Sequence, residues 1–480
     1  MRCMPPRTTL TLLTGLLTLA IAAPASAQSS AGSESDDAPV VMLSAEAGVG
    51  PVAEDVFLNL TPRLTFIKLL PAPLCEGGGT CSALLHAALQ VPLRLRLADR
   101  APEQNTLLRE EDWLELSDYL RIIRRLEYGT LNDPLYVRLG ELGGASLGNG
   151  TIIGGYYNVI TTDHYRLGLR AHLDLKRAGV ELLANNLASP NLLGVRAHAR
   201  PSTFFENAPR ALDRLQLGAT LVTDLRAPTD LERNPDGSAL AGPTREPRVE
   251  SSQPTTLLGL DLRANLIERA RLSLTPYLDL NAHLGLGSGL HAGLLWRQNI
   301  ADPVEISARL EYRRLSGRYL PEYIDPLYEV SRFQSLSPTE PGLAGPKLRV
   351  ARSTPPTTRH GAQAWVQARL AGILTLSAAY EDAQGPGNAA LRARAALQLA
   401  GRLQLGAFYY KAHLDGPATE SITEGIVDRD GALTVAEGRL GLWGPLYAHA
   451  QYGGLWQLRD DGVFETVRLW NIGLGAGMSF

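Results

Sequence analysis

The chain ends Trp470-Asn-Ile-Gly-Leu-Gly-Ala-Gly-Met-Ser-Phe480. Read in steps of two, Trp470, Ile472, Leu474, Ala476, Met478 and Phe480 share one face of an extended strand, and Asn471, Gly473, Gly475, Gly477 and Ser479 share the other. One face is apolar; the other is small or polar. A strand of this kind ending on a terminal aromatic fits the closing strand of a transmembrane β-barrel. Phe480 would sit in the interfacial aromatic belt, with Met478, Leu474 and Ile472 toward lipid as the signal for assembly. An edge strand of a soluble sheet alternates in the same way, so the rest of the chain has to decide.

The other end agrees. Arg2 and Arg7 precede an apolar stretch from Leu10 to Ala23, and Pro24-Ala25-Ser26-Ala27 follows with small residues at a cleavage site. Residues 1–27 therefore read as a signal peptide cut after Ala27, and the apolar core is too short for a membrane anchor. Residues 28–53 read as a polar N-terminal segment, and the barrel is expected over 54–480. Beyond the signal, no run approaches the ~18 apolar residues of a membrane helix, so any crossing must use strands.

Alternating runs recur along the chain. In 164–175, Tyr165, Leu167, Leu169, Ala171, Leu173 and Leu175 oppose Arg166, Gly168, Arg170, His172 and Asp174. In 271–284 a Leu-rich face from Leu272 to Leu284 opposes Arg271, Ser273, Thr275, Tyr277, Asp279, Asn281 and His283. In 304–313 and 389–400 the same split recurs. These runs are about ten residues or longer, enough to cross a bilayer at a tilt, whereas strands of soluble sandwiches average about five or six. With the C-terminus in the periplasm, the short turns at 176–179, 268–270, 371–372, 400–401 and 443–445 all fall on the periplasmic side. The polar stretches 227–254, 316–359 and 414–431 fall outside. The expected fold is all-β: a closed antiparallel transmembrane barrel of about 16–20 strands. The segment 117–128 reads as a short lumenal helix or as a wall strand, with the helix favoured.

The net charge of −3 argues against a nucleic-acid partner. Removal of the signal takes Cys3 with it and leaves Cys75 and Cys81 around Glu-Gly-Gly-Gly-Thr. In an oxidising compartment this reads as a disulfide across a loop; a metal site would need two more ligands, and only His86 is near in sequence.

The segment Leu135-Tyr-Val-Arg-Leu-Gly-Glu-Leu-Gly-Gly-Ala-Ser-Leu-Gly-Asn-Gly-Thr-Ile-Ile-Gly-Gly-Tyr-Tyr-Asn158 is the most idiosyncratic in the chain. Together with the closing strand it resembles large porin-like outer-membrane β-barrel proteins of Gram-negative bacteria, myxobacteria-like ones in particular. The resemblance implies a barrel and an outer-membrane address, and it carries no substrate. No Lys-Ser/Thr follows the glycines, so a phosphate loop is not indicated, and bends in a barrel strand explain them better.

On this strand assignment Arg166, Arg170, Arg196, Arg200, Arg214, Arg263, Arg309, Arg313, Arg369, Arg392, Arg394 and Arg439 face the lumen, as do Asp174, Glu181, Asp224, Asp261, Asp279, Glu305, Glu311 and Glu437. Cross-strand pairing accounts for most of these charges, and the arginine excess leaves a mild electropositive bias. His172, His198, His283 and His449 also face inward. Asp174 lies near His172, but no serine is placed as a nucleophile, so a barrel hydrolase is the weakest reading. The expectation is a porin-like passive channel for small polar solutes, without a cofactor or metal, set in outer-membrane lipid and lipopolysaccharide and inserted by the barrel-assembly machinery. Its rival is a surface barrel that binds a partner through its long outer loops.

Overall fold

The computed structural model describes residues 39–479 apart from 53–54, 72–81, 99–105, 115, 161–164, 176, 206–208, 210–211, 243–245, 302, 337–343, 400–401, 416–420, 429 and 460–461. The signal peptide, Cys75, Cys81 and Phe480 lie outside the described residues.

Twenty strands close into one antiparallel barrel. They are β1 Val40–Val52, β2 Asp55–Pro71, β3 Ser82–Gln90 continued by Leu93–Ala98, β4 Ile123–Tyr128, β5 Leu135–Gly140, β6 Gly168–Asp174, β7 Ala178–Ala184, β8 Leu192–Ala199, β9 Leu215–Leu231 and β10 Val249–Ala264 continued by Ile267–Arg269. There follow β11 Leu272–His283, β12 Gly287–Ala301, β13 Val304–Gly317, β14 Arg359–Leu370, β15 Leu374–Ala383, β16 Ala390–Leu399, β17 Leu403–Ala412, β18 Ala432–Trp443, β19 Leu446–Leu458 and β20 Phe464–Ser479. Each strand pairs with its sequence neighbours, and β20 closes on β1 from Met42↔Ser479 to Val49↔Ile472.

The closing strand stands as read: Ile472, Leu474 and Met478 are 61, 58 and 53 % exposed on the barrel's outside. They join an apolar exterior that includes Leu217, Leu260, Leu280, Leu310, Val366, Leu405 and Leu440. Among the described residues no helix is long and apolar enough to cross a membrane. β1 starts and β20 ends at the same rim, called here the terminal rim. It carries the tight connections after β6, β13's predecessor β12, β14, β16 and β18. The distal rim carries the long ones, including 232–248, 318–358 and 413–431. Two connections depart from this division among the described residues: 200–214, at the terminal rim, is long and contains two short 3-10 turns, and 284–286, at the distal rim, is tight.

Three expectations shift. The wall begins at Val40, not at residue 54, because Ser44, Glu46 and Gly48 alternate with Leu43, Ala45 and Ala47 in register with β2; small residues make this alternation faint. The segment 117–128 is mostly wall: one helical turn, Leu116–Leu120, precedes β4, which hydrogen-bonds to both β3 and β5. The helix stops there because Ile123–Tyr128 has partners on both edges. Leu167 does not face lipid. The chain joins the wall only at Gly168, and Leu167 packs with Val159 and Tyr165 inside.

The exterior assignment makes a test. Leu310→Arg, at the lipid face, should destabilise the barrel by about 2–4 kcal/mol if it lies near the midplane. Denaturant unfolding in bilayers measures this. An unperturbed midpoint would place Leu310 outside the apolar band.

Candidate functional site

The distal half of the lumen is filled by the chain itself. The connections 141–167 and 318–358 fold inward from the distal rim and join there. Glu322 N donates to Thr151 O (2.9 Å), Gly154 N to Ile324 O (3.0 Å), and Ile324 N to Ile152 O (3.1 Å). Ile152, Ile153, Tyr156, Tyr323, Ile324 and Tyr328 form one buried cluster with the wall residues Leu183, Leu192, Val222 and Leu257. On the opposite side Tyr157, Ile160 and Leu327 pack on Phe408, Tyr410, Leu433, Val435, Leu455, Val467 and Leu469. The loops therefore span the lumen from β7–β10 to β17–β20.

The glycines of 140–155 are explained by this crossing. Gly148 has a φ of +55°, and a Cβ there would lie 2.9 Å from the Arg196 side chain. Gly155 has a φ of +68°, and a Cβ would collide with the Arg392 guanidinium. Left-handed backbone and close approach by wall arginines both favour glycine. Asn158, fully buried, staples the loop: its Oδ1 accepts from Leu142 N (2.6 Å) and its Nδ2 donates to Arg166 O (2.8 Å).

Many of the residues expected to line a pore hold these loops. Arg309 donates to Asn149 O (2.8 Å), Arg263 to Asn149 Oδ1 (2.6 Å), Arg170 to Ser146 O (3.3 Å) and Arg392 to Gly154 O (3.4 Å). Asp279 accepts from Asn149 (2.6 Å) and Thr151 (2.7 Å). Arg166 pairs with Glu246 and with Glu329 (3.4 Å). Arg196 is buried between Asp261 (2.7 Å) and Glu181 (2.5 Å). Arg313 meets Glu311 (2.5 Å), Glu322 (3.3 Å) and Glu381. His198 and Arg200 meet at Asp174 (3.3 and 2.8 Å), whereas His172 sits on the Asp133 carbonyl (2.8 Å), away from that carboxylate. Arg214 lies at the terminal rim, donating to Leu266 O (3.1 Å), and Glu305 pairs with Arg369 (2.9 Å).

Glu322 is the junction of this lock. It is 6 % exposed and has a φ of 45°, a left-handed conformation that a glutamate adopts only when its surroundings impose it. Gln363 Nε2 donates to its carboxylate (2.6 Å), and Arg309 lies at 3.6 Å. Burial alone would raise this carboxyl's pKa, but Arg392, Arg313 and Arg309 outweigh burial and hold it below the ordinary value.

The terminal half of the lumen is different. A cavity of about 1010 Å³ is lined by Arg63, Arg124, Arg125, Arg138, Arg369, Arg394 and Arg439 against Glu46, Glu141, Glu305 and Glu437. Of these, Arg63, Arg138, Glu46 and Glu141 are not legible as lumenal from the sequence, because the alternation around them is faint or short. Arg124 and Arg125 face this space from β4.

Solved structures similar to this chain include porin-like barrels. They include OccAB4 of Acinetobacter baumannii (9 % identity, TM-score 0.35, covering 92 % of this chain and 98 % of that one). OccK5 (OpdH) of Pseudomonas aeruginosa has 12 % identity and a TM-score of 0.34 over the same shares. The outer membrane protein OpdK of Pseudomonas aeruginosa has 11 % identity and a TM-score of 0.33, again over 92 and 98 %. At these scores the likeness carries no argument, and the barrel stands on its own closed hydrogen-bond ladder. No protein-family model and no curated protein matches the chain.

The lock predicts a pH response. A carboxylate whose folded pKa is depressed stabilises fully above the ordinary carboxylate range (~4.3), and its contribution is lost as pH falls through the lower folded value. Glu322→Gln should act like this protonation at neutral pH, costing about 3 kcal/mol as one partner of a buried charge cluster is removed. Amide hydrogen exchange at Gly154 and Ile324 should then quicken by about two orders of magnitude. Unchanged exchange would show that the loops are held without Glu322.

Proposed function

We propose that this protein is a porin-like channel of the outer membrane that passes small hydrophilic solutes by passive diffusion, with a mild preference for anions. The observation that carries the reading is the vestibule of about 1010 Å³ in the terminal half of the lumen, where seven arginines face four glutamates. A barrel of twenty strands is too wide for wall side chains to fill. Here two loops occupy the distal half, and the terminal half keeps a polar space. Charges in that space act on a solute through low-dielectric walls, which favours the sign of ion opposite to the lining.

In the same reading the terminal rim faces the periplasm, and the apolar exterior faces outer-membrane lipid and lipopolysaccharide. The assembly machinery engages the closing strand with Phe480. Secretion through a cleaved leader and a Cys75–Cys81 bridge belong to this proposal. The loops that cross the lumen also suit a non-transporting surface barrel, and conductance separates the two.

The partition of the arginines sharpens the test. Arg196 is neutralised by Asp261 and Glu181 within the lock, so its charge contributes little to the field along a path. Arg124 and Arg394 line the vestibule. In planar bilayers under a salt gradient, Arg124→Gln with Arg394→Gln should move the reversal potential toward cations. Replacing a whole pair within the lock, Arg196→Gln together with Asp261→Asn, keeps the local net charge and should leave it nearly fixed. The shift should be larger at 0.1 M salt, where the Debye length is about 10 Å, than at 1 M, where it is about 3 Å. A wild-type barrel that never conducts would favour the surface-binding reading.

A further inference from the structure

The outer face of the barrel carries a groove of about 630 Å³. Ala362 and Ala364 of β14 form its floor, with Leu310 and Tyr312 of β13 on one side and Tyr380 of β15 on the other. Glu311 borders it only from behind; its side chain points into the lumen and pairs with Arg309 (2.8 Å). Register fixes the depth of the groove. On β13 the outward residues run Val304, Ile306, Ala308, Leu310, Tyr312 and then Arg314; beside them on β14 they run Leu370, Ala368, Val366, Ala364, Ala362 and then His360. From Val304 to Tyr312 the strand makes eight residue steps. At ~3.4 Å each and a tilt of ~40° they rise about 21 Å, close to the ~25 Å of a barrel's apolar band. Arg314 and His360 therefore stand at the first polar level beyond the band, at the distal end of the groove. Both are exposed, and among the described residues Arg314 has no hydrogen-bond or ion-pair partner. The Tyr312 hydroxyl lies 2.6 Å from His360 Nδ1. With that hydroxyl donating, the ring keeps a donor at Nε2.

We infer that this groove holds an acyl chain of the lipid A part of lipopolysaccharide, with a phosphate of the same molecule on Arg314 and His360; the inference rests on the reading above that the distal rim faces outside. An apolar lining alone would not single out the groove, because the whole exterior is apolar. Its charged end does. A guanidinium without a carboxylate partner presents paired N–H donors that match a phosphate, and His360 adds a donor from the next strand. Their level, just past the apolar band, is that of a lipid's phosphates and not of its tails. Lipid A carries phosphates and acyl chains on one sugar scaffold, so one molecule meets both halves of the site. Asp382 is the opposing charge. It lies across β14 from Tyr312, one level nearer the midplane than Arg314, and accepts from the Tyr380 hydroxyl (3.2 Å). Its repulsion keeps the phosphate on the β13 side of the groove.

The test titrates the purified, detergent-solubilised barrel with bis-phosphorylated lipid A and with its fully dephosphorylated form, read by native mass spectrometry. EDTA is present, so that no divalent cation bridges Asp382 to a phosphate. The wild type should bind the phosphorylated lipid about tenfold more tightly, the factor given by ~1.4 kcal/mol of charge-assisted hydrogen bonding. Arg314→Gln should bring the ratio to about one. Ala362→Phe, which fills the groove, should weaken both lipids alike, and Asp382→Asn should tighten the phosphorylated one alone. Arg468 is exposed on the outer face of β20, so Arg468→Gln serves as a control and should leave the ratio unchanged. Heat-modifiable migration shows that each variant is folded. A wild type that does not distinguish the two lipids, or equal losses from Arg314→Gln and Arg468→Gln, would overturn the site. Phosphatidylglycerol that displaces lipid A at equal concentration would give the groove to phospholipid and overturn it as well. Orientation is read separately, from an impermeant thiol reagent applied to intact cells carrying Asp236→Cys in the exposed distal connection, compared with the wild type. A barrel labelled there that does not discriminate the lipids loses the site and keeps the orientation. One that discriminates without labelling loses the orientation, and with it lipopolysaccharide as the occupant.

Discussion

The structure depends on the pairing of β20 with β1. In a hydrocarbon environment each unpaired backbone group costs several kcal/mol, and a sheet with a free edge would present a whole row of them. The ladder from Met42↔Ser479 to Val49↔Ile472 removes that edge. Closure fixes the alternation of every other strand, since each residue must face either lipid or lumen. It also fixes a circumference that side chains alone cannot fill. What occupies the lumen must therefore come from the connections, and two of them supply it.

The inner face is divided along its length. On β18, Leu433 and Val435 lie toward the distal rim and Glu437 and Arg439 toward the terminal rim, all pointing inward. β17 repeats this with Phe408 and Tyr410 above Gln404, and β20 with Val467 and Leu469 above Asn471 and Gly473. The apolar half exists to receive the loops. Over β8–β13 charge joins the apolar contacts of Leu192, Val222 and Leu257 in receiving the loops: Arg263 and Arg309 reach loop groups, Arg313 is balanced by Glu311, Glu381 and the loop residue Glu322, and Arg196 by Glu181 and Asp261. Arginine suits both tasks, because its planar fork can bond a carboxylate on one side and a carbonyl on another. The same residue type thus ties loops to the wall in one half of the lumen and lines an open space in the other.

The barrel was legible in the sequence because lipid imposes a period of two on long runs, which few other environments do. Strands such as 272–283 and 304–317 could be read directly. The lock could not. Nothing in the spacing of Arg309 or Arg392 says that its guanidinium meets a carbonyl of residues 149–154, since that contact depends on a loop leaving the wall. Two signals were present. Leu433, Val435, Val467 and Leu469 occupy inward positions where a water-filled lumen would place polar residues. The glycines at 140–155 are too dense for a strand. The start of the wall at Val40 was hidden by Ala, Ser and Gly, whose alternation has little amplitude.

The span of the lock has a consequence for the order of assembly. Arg392 and Gly154 are 238 residues apart, and Tyr156 meets Glu329 across 173. Loop closure over such separations carries an entropic cost that only later contacts repay, so topologies of this kind organise slowly. The segment 141–160 precedes β7–β10 and β17–β20, the strands that will receive it, and until they form it has only its own short-range contacts, such as Ala145 with Tyr156 and Leu142 with Asn158, to order it. Its docking must follow formation of most of the cylinder. The cylinder can therefore close around an unfilled interior, and the interior sets afterwards, as a separate and later cooperative event.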